Sequence, residues 1–351
     1  MGIKNLNKFL KKHCNNIYEE INLSEYKYKK VAIDISLYLC KYKIIAGPNW
    51  LSSFINLISC LRRNEIHCIF IYDNGCPPEK EEEKKKRQQT QENLDHKIYI
   101  LEEALSEYYN TGEIEPVLSE LYNKNINKEN NKRLLVKNKF DINIVESKIE
   151  KIKSQRLNLN SQDYEITKEL FNILNVPWMV ASLEAETTCV DLCKRGIVDA
   201  VLSEDSDVIA YGCPLFLCKI NTMKDTCIEI KYEEVLESLE LSSESMLDFC
   251  IMCGTDYNKN IPKIGPENAY KYILKYNNIE NIQLNTNLDI TILNHKRTRD
   301  IFLNYEKKDI DKINYCGKPD FNMLEKFVFK HNLRINLEFL VGSFQNNIEF
   351  E

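Results

Sequence analysis

Val31-Ala32-Ile33-Asp34 and Cys68-Ile69-Phe70-Ile71-Tyr72-Asp73 decide how this 351-residue chain folds. Each is a short apolar run, rich in β-branched residues, that ends in an aspartate. Runs of that length and composition read as buried strands. Between them, Trp50 to Arg63 carries apolar residues at 50, 51, 54, 55, 57, 58 and 61, the spacing of a helix with one face in a core. Asn74-Gly75-Cys76-Pro77-Pro78 stops the second strand. Strand, helix, strand opens a doubly wound α/β fold: a mostly parallel, Rossmann-like sheet flanked by helices.

The pattern returns further on. Asp163 to Leu174 is helical, and Val176-Pro177-Trp178-Met179-Val180 reads as a strand. Glu184 to Cys193 reads as a helix ended by Gly196, Ala200 to Asp205 as another strand ending in acid, and Leu215 to Ile220 as a further strand. From Tyr232 the periodicity is helical. Between these halves, Glu79 to about Ser161 is rich in Lys, Glu, Asn and Gln, and it opens on the charge run Glu79 to Arg87. By itself such a run reads as a solvated helix or as disorder. The expected organisation is an α/β region split into residues 1–100 and 161–231, a variable insertion at 101–160, and a helical region at 232–351.

Composition narrows the function. At 43% hydrophobic and 28% charged residues the chain can bury a large core, and a net charge of -6 argues against a uniformly basic nucleic-acid binder. No uninterrupted apolar stretch has the length of a membrane span, and Met1-Gly2-Ile3-Lys4-Asn5-Leu6 lacks a signal-peptide core. Gly2 without Ser or Thr at position 6 fits a myristoylation site poorly. Thirteen cysteines, an odd number, suit a reducing compartment, so an intracellular location and no membrane partner are expected. Cys250 and Cys253 form a C-x-x-C, but they sit in an apolar run with no histidine close by and read as core.

In an open α/β sheet, ligands bind beyond the carboxyl ends of the strands. Asp34, Asp73 and Asp205 stand at such ends, and Glu184, Glu186, Asp207 and Asp256 lie where they can join them. Residues two apart do not share a helix face, so Glu184 and Glu186 converge only near a helix start or in a turn. Singly, each acid is well explained as a cap or turn former. Seven together would repel strongly without cations among them. An all-oxygen ligand set suits Mg²⁺ or Mn²⁺, and two such ions about 4 Å apart suit phosphodiester hydrolysis.

With these residues the chain resembles the flap endonuclease / XPG family of structure-specific 5′ nucleases. The matching blocks are Met1-Gly2-Ile3 with Leu6, Val31 to Ser36, Tyr72-Asp73 with Gly75 and Pro77-Pro78, Leu183 to Glu186, Ser203 to Asp207, and Gly254-Thr255-Asp256-Tyr257. Asn260-Ile261-Pro262-Lys263-Ile264-Gly265-Pro266 resembles the turn of the family's helix–two-turn–helix element. The resemblance implies a PIN-like sheet with a helical arch inserted in it. It implies one Mg²⁺ held by Asp34, Asp73, Glu184 and Glu186, and a second by Asp205, Asp207 and Asp256, with Mn²⁺ as a substitute. It implies Lys80 and Arg87, two helical turns apart, as catalytic contacts to the scissile phosphate, with Lys84, Lys85 or Lys86 as alternatives. It implies duplex DNA held by Gly2, Tyr38, Ile261, Lys263 and Gly265, with a K⁺ ion at that turn. The expected substrate is branched DNA with a 5′ flap or 5′ end, cut by a monomer, in a nucleus or at a viral cytoplasmic replication site. Exonuclease action from a 5′ end is a second expectation; a Holliday-junction resolvase, an RNA exonuclease or an inactive scaffold are the competing readings.

Some features depart from the family. The stretch at 110–155 is long, and reads as a disordered insert or an enlarged arch. Cys40 stands where an aromatic residue would stack on a base, with Tyr38 and Tyr42 as substitutes. Gln345 to Phe350 begins like a sliding-clamp motif, but its aromatics are misplaced. Abundant Asn, Ile and Lys fit an AT-rich genome, such as that of a protist or a large DNA virus.

Overall fold

The computed structural model describes residues 2–129, 140–156 and 159–344. Seven strands form one sheet: β1 (Glu19–Asn22), β2 (Lys30–Asp34), β3 (His67–Tyr72), β4 (Trp178–Val180), β5 (Ala200–Leu202), β6 (Leu215–Asn221) and β7 (Thr226–Lys231). Their order is β1-β7-β6-β5-β2-β3-β4. The neighbours β6, β5, β2, β3 and β4 are parallel, and β7 and β1 close one edge antiparallel. The mostly parallel sheet is therefore as expected, with the antiparallel edge as an addition.

Alternation along the central strands feeds two cores. Ala32, Ile69, Ile71 and Val201 face one, with Cys189, Val190 and Phe216. Val31, Ile33, Phe70, Ala200 and Leu202 face the other, with Phe54, Ile58 and Phe171. Both faces are covered, which is why these strands read as unbroken apolar runs. The helices Ile35–Ala46 and Trp50–Arg63 cover the second face. Across Ile35–Arg63 they are together long and apolar enough to cross a membrane, contrary to the expectation from sequence. Yet Gly47-Pro48 breaks them, and Phe54, Ile55, Leu57 and Ile58 are fully buried against the sheet, so this is a core helix pair.

Strand ends differ slightly from expectation. The first edge of β4 is Trp178 because Pro177 has no N–H to donate, although its carbonyl accepts from Phe70 N at 3.1 Å. β5 ends at Leu202, and Ser203 to Asp205 leave the sheet as a loop.

The charge run forms the start of a 31-residue helix, Glu81–Thr111. Its first three turns are exposed, as the solvated-helix reading requires. Its second half packs with the helices Pro116–Glu129 and Ile142–Lys153 around Leu101, Ala104, Leu118, Tyr122, Val145 and Ile149. Lys153–Glu102 and Arg156–Asp95 ion pairs at 2.7 and 2.8 Å cross this small core. Where it is described, the insertion is helical and packed around this small core of its own. Residues 130–139 and the clamp-like Gln345 to Phe350 lie outside the described residues. Cys250 and Cys253 are buried in the helix Ser243–Cys253, as the core reading expects. That helix and Pro266–Tyr276 flank the turn at 254–265.

Candidate metal centre and nucleic-acid interface

Because β5, β2, β3 and β4 are parallel neighbours, their carboxyl ends lie side by side, and the acids that follow them line one cleft. Asp34, Asp73, Glu184, Glu186, Asp205 and Asp256 line it together with Lys80, Lys84, Arg87 and Cys40, around about 270 Å³ of open space. Asp207 completes the set: one oxygen each from Glu186, Asp205 and Asp207 lie within 4.8 Å of one another.

Local backbone explains each placement. Asp34 ends β2 and caps the next helix, accepting from Ser36 N at 2.8 Å. Asp73 accepts from Ser36 Oγ at 2.5 Å and from Ala185 N at 2.7 Å, so it caps the helix Ala185–Lys194. Glu184 is the N-cap residue of that helix and Glu186 lies in its first turn, the geometry two acids two apart need in order to converge. Asp205 accepts from Asp207 N at 3.1 Å. The backbone contacts of Asp34, Asp73 and Asp205 each use a single carboxylate oxygen, so a cap and a ligand could be the same residue.

The electrostatics call for cations. Asp207 is 1% exposed, and neither of its carboxylate oxygens has a hydrogen-bond partner. Leaving such a charge uncompensated costs several kcal/mol. Burial pushes its carboxyl well above the usual range, with Asp205 and Asp256 adding to the rise. Burial likewise raises Glu186 well above that range, although Lys80 opposes it. Asp34 is pushed up to about 8, by burial first and then by the charge of Asp73. Oxygen donors with unfilled lone pairs, held rigidly at strand and helix ends, fit hard divalent ions.

Lys80 and Arg87 reach into the cleft as expected. Lys80 Nζ lies 2.7 Å from Glu184 Oε1, 3.5 Å from Glu186 and 3.7 Å from Asp256. Burial alone disfavours its ammonium, but Glu186 and Glu184 overcome this and hold it above the ordinary lysine range. An Arg87 guanidinium nitrogen lies 2.5 Å from Asp256 Oδ2. Of the alternatives, Lys84 lines the cleft, whereas Lys85 and Lys86 pair with Glu81 and Glu83 on the arch itself.

The DNA-contact expectations fare unevenly. Tyr38 is fully buried in the core beside Tyr42, so its ring is not presented to a base; this corrects the sequence reading. The cause is its place on the sheet-facing side of its helix, while Cys40 takes the cleft side. Gly2, at φ +79°, packs against the paired aspartates: a Cβ there would fall 2.0 Å from Asp205 Oδ1. Its neighbourhood is the paired aspartates of the cleft, reinforced by Lys4 N donating to Gly254 O at 3.1 Å. Ile261 is buried and shapes the turn, Lys263 is exposed at φ +65°, and Gly265 borders open space.

Two tyrosines were missed. Tyr257 Oη donates to Glu184 Oε2 at 2.7 Å, and its oxygen lies 2.7 Å from Tyr211 Oη. The sequence offered Tyr257 only as a letter beside Asp256, and nothing marked Tyr211.

Residues 1–94 match the XPG N-terminal domain and residues 175–256 the XPG I-region. A probable RAD2-like endonuclease (369L) of Invertebrate iridescent virus 6 is 36% identical, with 100% of this chain and 94% of that protein covered. Flap endonuclease 1 of Enterocytozoon bieneusi is 28% identical, covering 80% of this chain and 72% of that one. Among solved structures, the catalytic core of Rad2 in complex with DNA substrate superposes with a TM-score of 0.67 at 16% identity, over 97% of this chain and 100% of that chain. Fold, acid cluster and sequence agree: the chain belongs to the XPG family of structure-specific nucleases, hydrolases that act on DNA.

Proposed function

We propose that this chain cuts phosphodiester bonds next to the junction of duplex DNA and a 5′ single-stranded flap, using two Mg²⁺ ions. The observation that carries the reading is the convergence of seven acids on one cleft, with both oxygens of Asp207 buried and unpartnered. Asp34, Asp73, Glu184 and Glu186 would hold one ion, and Asp205, Asp207 and Asp256 the other. Two bound ions supply charge stabilisation at the attacking and leaving oxygens. The chain's own residues do the rest. Lys80 and Arg87 pair with the acids and sit where a scissile phosphate would enter, so they can exchange a carboxylate for that phosphate. The arch helix Glu81–Thr111 rises directly from Lys80 and bounds the cleft on the side where a single strand would leave the junction. Cleavage of 5′-flap, nicked, gapped and four-way DNA, each with Mg²⁺ and with EDTA, tests this. The flap should be the preferred substrate and EDTA should abolish cutting. Cutting in EDTA would overturn the two-metal reading, and preference for the four-way junction would overturn the flap.

The turn at Asn260 to Pro266 would hold the duplex. Ile264 N closes it onto Ile261 O at 3.0 Å, and Pro266 opens the following helix, whose positive N-terminal end suits a phosphate. By family resemblance the same turn would also take a K⁺ ion. Gly265 has φ −99° and open space beside it, so a side chain fits there without strain, contrary to a glycine-only turn. Gly265→Asp is therefore a clean charge test. It should weaken duplex binding by about tenfold at moderate salt while leaving single-turnover cleavage of bound substrate near the parental rate. Unchanged affinity by fluorescence anisotropy would remove this turn from the DNA interface. The chain's place is inside the cell, wherever branched DNA arises during replication or repair.

A further inference from the structure

We propose that Tyr211 is a positioning residue for the metal centre, acting through Tyr257 on Glu184; this rests on the metal reading above.

The proton order of the relay follows from counting. Tyr257 has one hydroxyl proton, and its nearest acceptors are the Glu184 carboxylate at 2.7 Å and, more weakly, Glu186 at 3.3 Å. A carboxylate accepts, so Tyr257 donates to it. The Tyr257 oxygen is then left to accept from Tyr211, 2.7 Å away. Both rings are buried, at 2% and 5% exposure, so water does not compete for these groups. An ordinary phenol keeps its proton at neutral pH, so each hydroxyl is able to donate. A donor that itself accepts a hydrogen bond is a stronger donor. Tyr211 thus strengthens the contact that orients Glu184.

Packing fixes the relay. The rings of Tyr211 and Tyr257 both rest on Phe302, with centroids 4.6 and 5.3 Å away. Lys80 Nζ lies 5.5 Å over the Tyr257 ring, so the same ring also steadies the cation beside the acids. Tyr211 follows the helix Asp207–Ala210, and its N–H donates to Asp207 O at 2.9 Å. One residue therefore ties an acid of the second ion's set to an acid of the first.

The test is Mn²⁺ binding to the full chain without DNA, by calorimetry and by water-proton relaxation. Tyr257→Phe should weaken binding by about tenfold or more, as loss of a hydrogen bond to a metal ligand does. Tyr211→Phe should weaken it by about threefold, on the scale of one indirect hydrogen bond. The double variant should bind no more weakly than Tyr257→Phe alone, because Tyr211 acts only through Tyr257. Tyr305→Phe, whose ring meets Tyr211 at 5.8 Å outside the relay, should bind like the parent. Melting in EDTA shows that each variant is folded; Phe keeps the ring and its packing. A Tyr211→Phe affinity equal to the parent's, or losses that add in the double variant, would overturn the relay. If the parent itself shows no Mn²⁺ binding that Asp207→Asn removes, the metal reading falls and the relay falls with it.

Discussion

Asp207→Asn is expected to lower single-turnover cleavage of flap DNA by about 10²-fold or more, the scale of losing one preorganised stabiliser of transition-state charge. DNA affinity should fall little, because on the proposed reading the duplex would be held by the turn at 260–266. Asp207 is chosen over the other acids because its oxygens have no second employment. Asp34 and Asp73 also cap helices, so their replacement would mix folding with chemistry. Asp207 lies at 1% exposure with both oxygens unpartnered, and its neighbours Asp205 and Asp256 repel it. An amide of the same shape removes that repulsion. The variant should therefore be no less stable than the parent in EDTA, and should gain less stability than the parent when Mg²⁺ is added. Cleavage within about tenfold of the parent, well short of the loss such a stabiliser brings, would remove Asp207 from the ligand set. A fall in melting temperature in EDTA would make it a structural residue.

What the sequence made legible follows from what its signals measure. The parallel centre of the sheet was readable because its strands are buried on both faces and so appear as unbroken apolar runs. β1 was not: Glu19-Glu20-Ile21-Asn22 buries one residue, Ile21, and pairs only with β7 at the sheet's edge. Asp34 and Asp73 were readable because a strand end is a topological position, and topology follows from the order of strands. The other five stand in the loops and helix starts that follow strands or helices, and the resemblance to the family singled them out as a set. Tyr38 was misread because linear spacing alone does not say which side of a helix meets the sheet. Tyr211 and Tyr257 went unseen for a related reason: a hydrogen bond between residues 46 apart has no local pattern. The arch insertion is polar over most of its length, and its small core is spread over three helices, too few apolar positions in any one window to announce it.

The double variant Lys80→Ala, Arg87→Ala should slow single-turnover cleavage by about 10²-fold or more while leaving flap affinity nearly unchanged. The two cations differ in how they are held. Lys80 is 14% exposed and braced by three acids and the Tyr257 ring, whereas Arg87 is 45% exposed and touches Asp256 from the arch side. With divalent ions held among the acids, Lys80 and Arg87 would be bound to those acids less strongly, and a scissile phosphate would become the better partner. An ammonium and a guanidinium there meet negative charge as it shifts onto the phosphoryl oxygens. Lys80→Ala alone should account for most of the loss, since Lys80 is the more buried of the two cations and its charge is less screened by solvent. It should also destabilise the metal-free protein, because Glu184 and Glu186 lose their nearest cation, and Mg²⁺ should restore that stability. A solvated-face role predicts neither effect. A cleavage rate within about threefold of the parent at saturating Mg²⁺, far from the loss of a charge stabiliser, would return Lys80 and Arg87 to ordinary surface. Lys84 would then be the next residue to replace, since it is the other arch lysine lining the cleft.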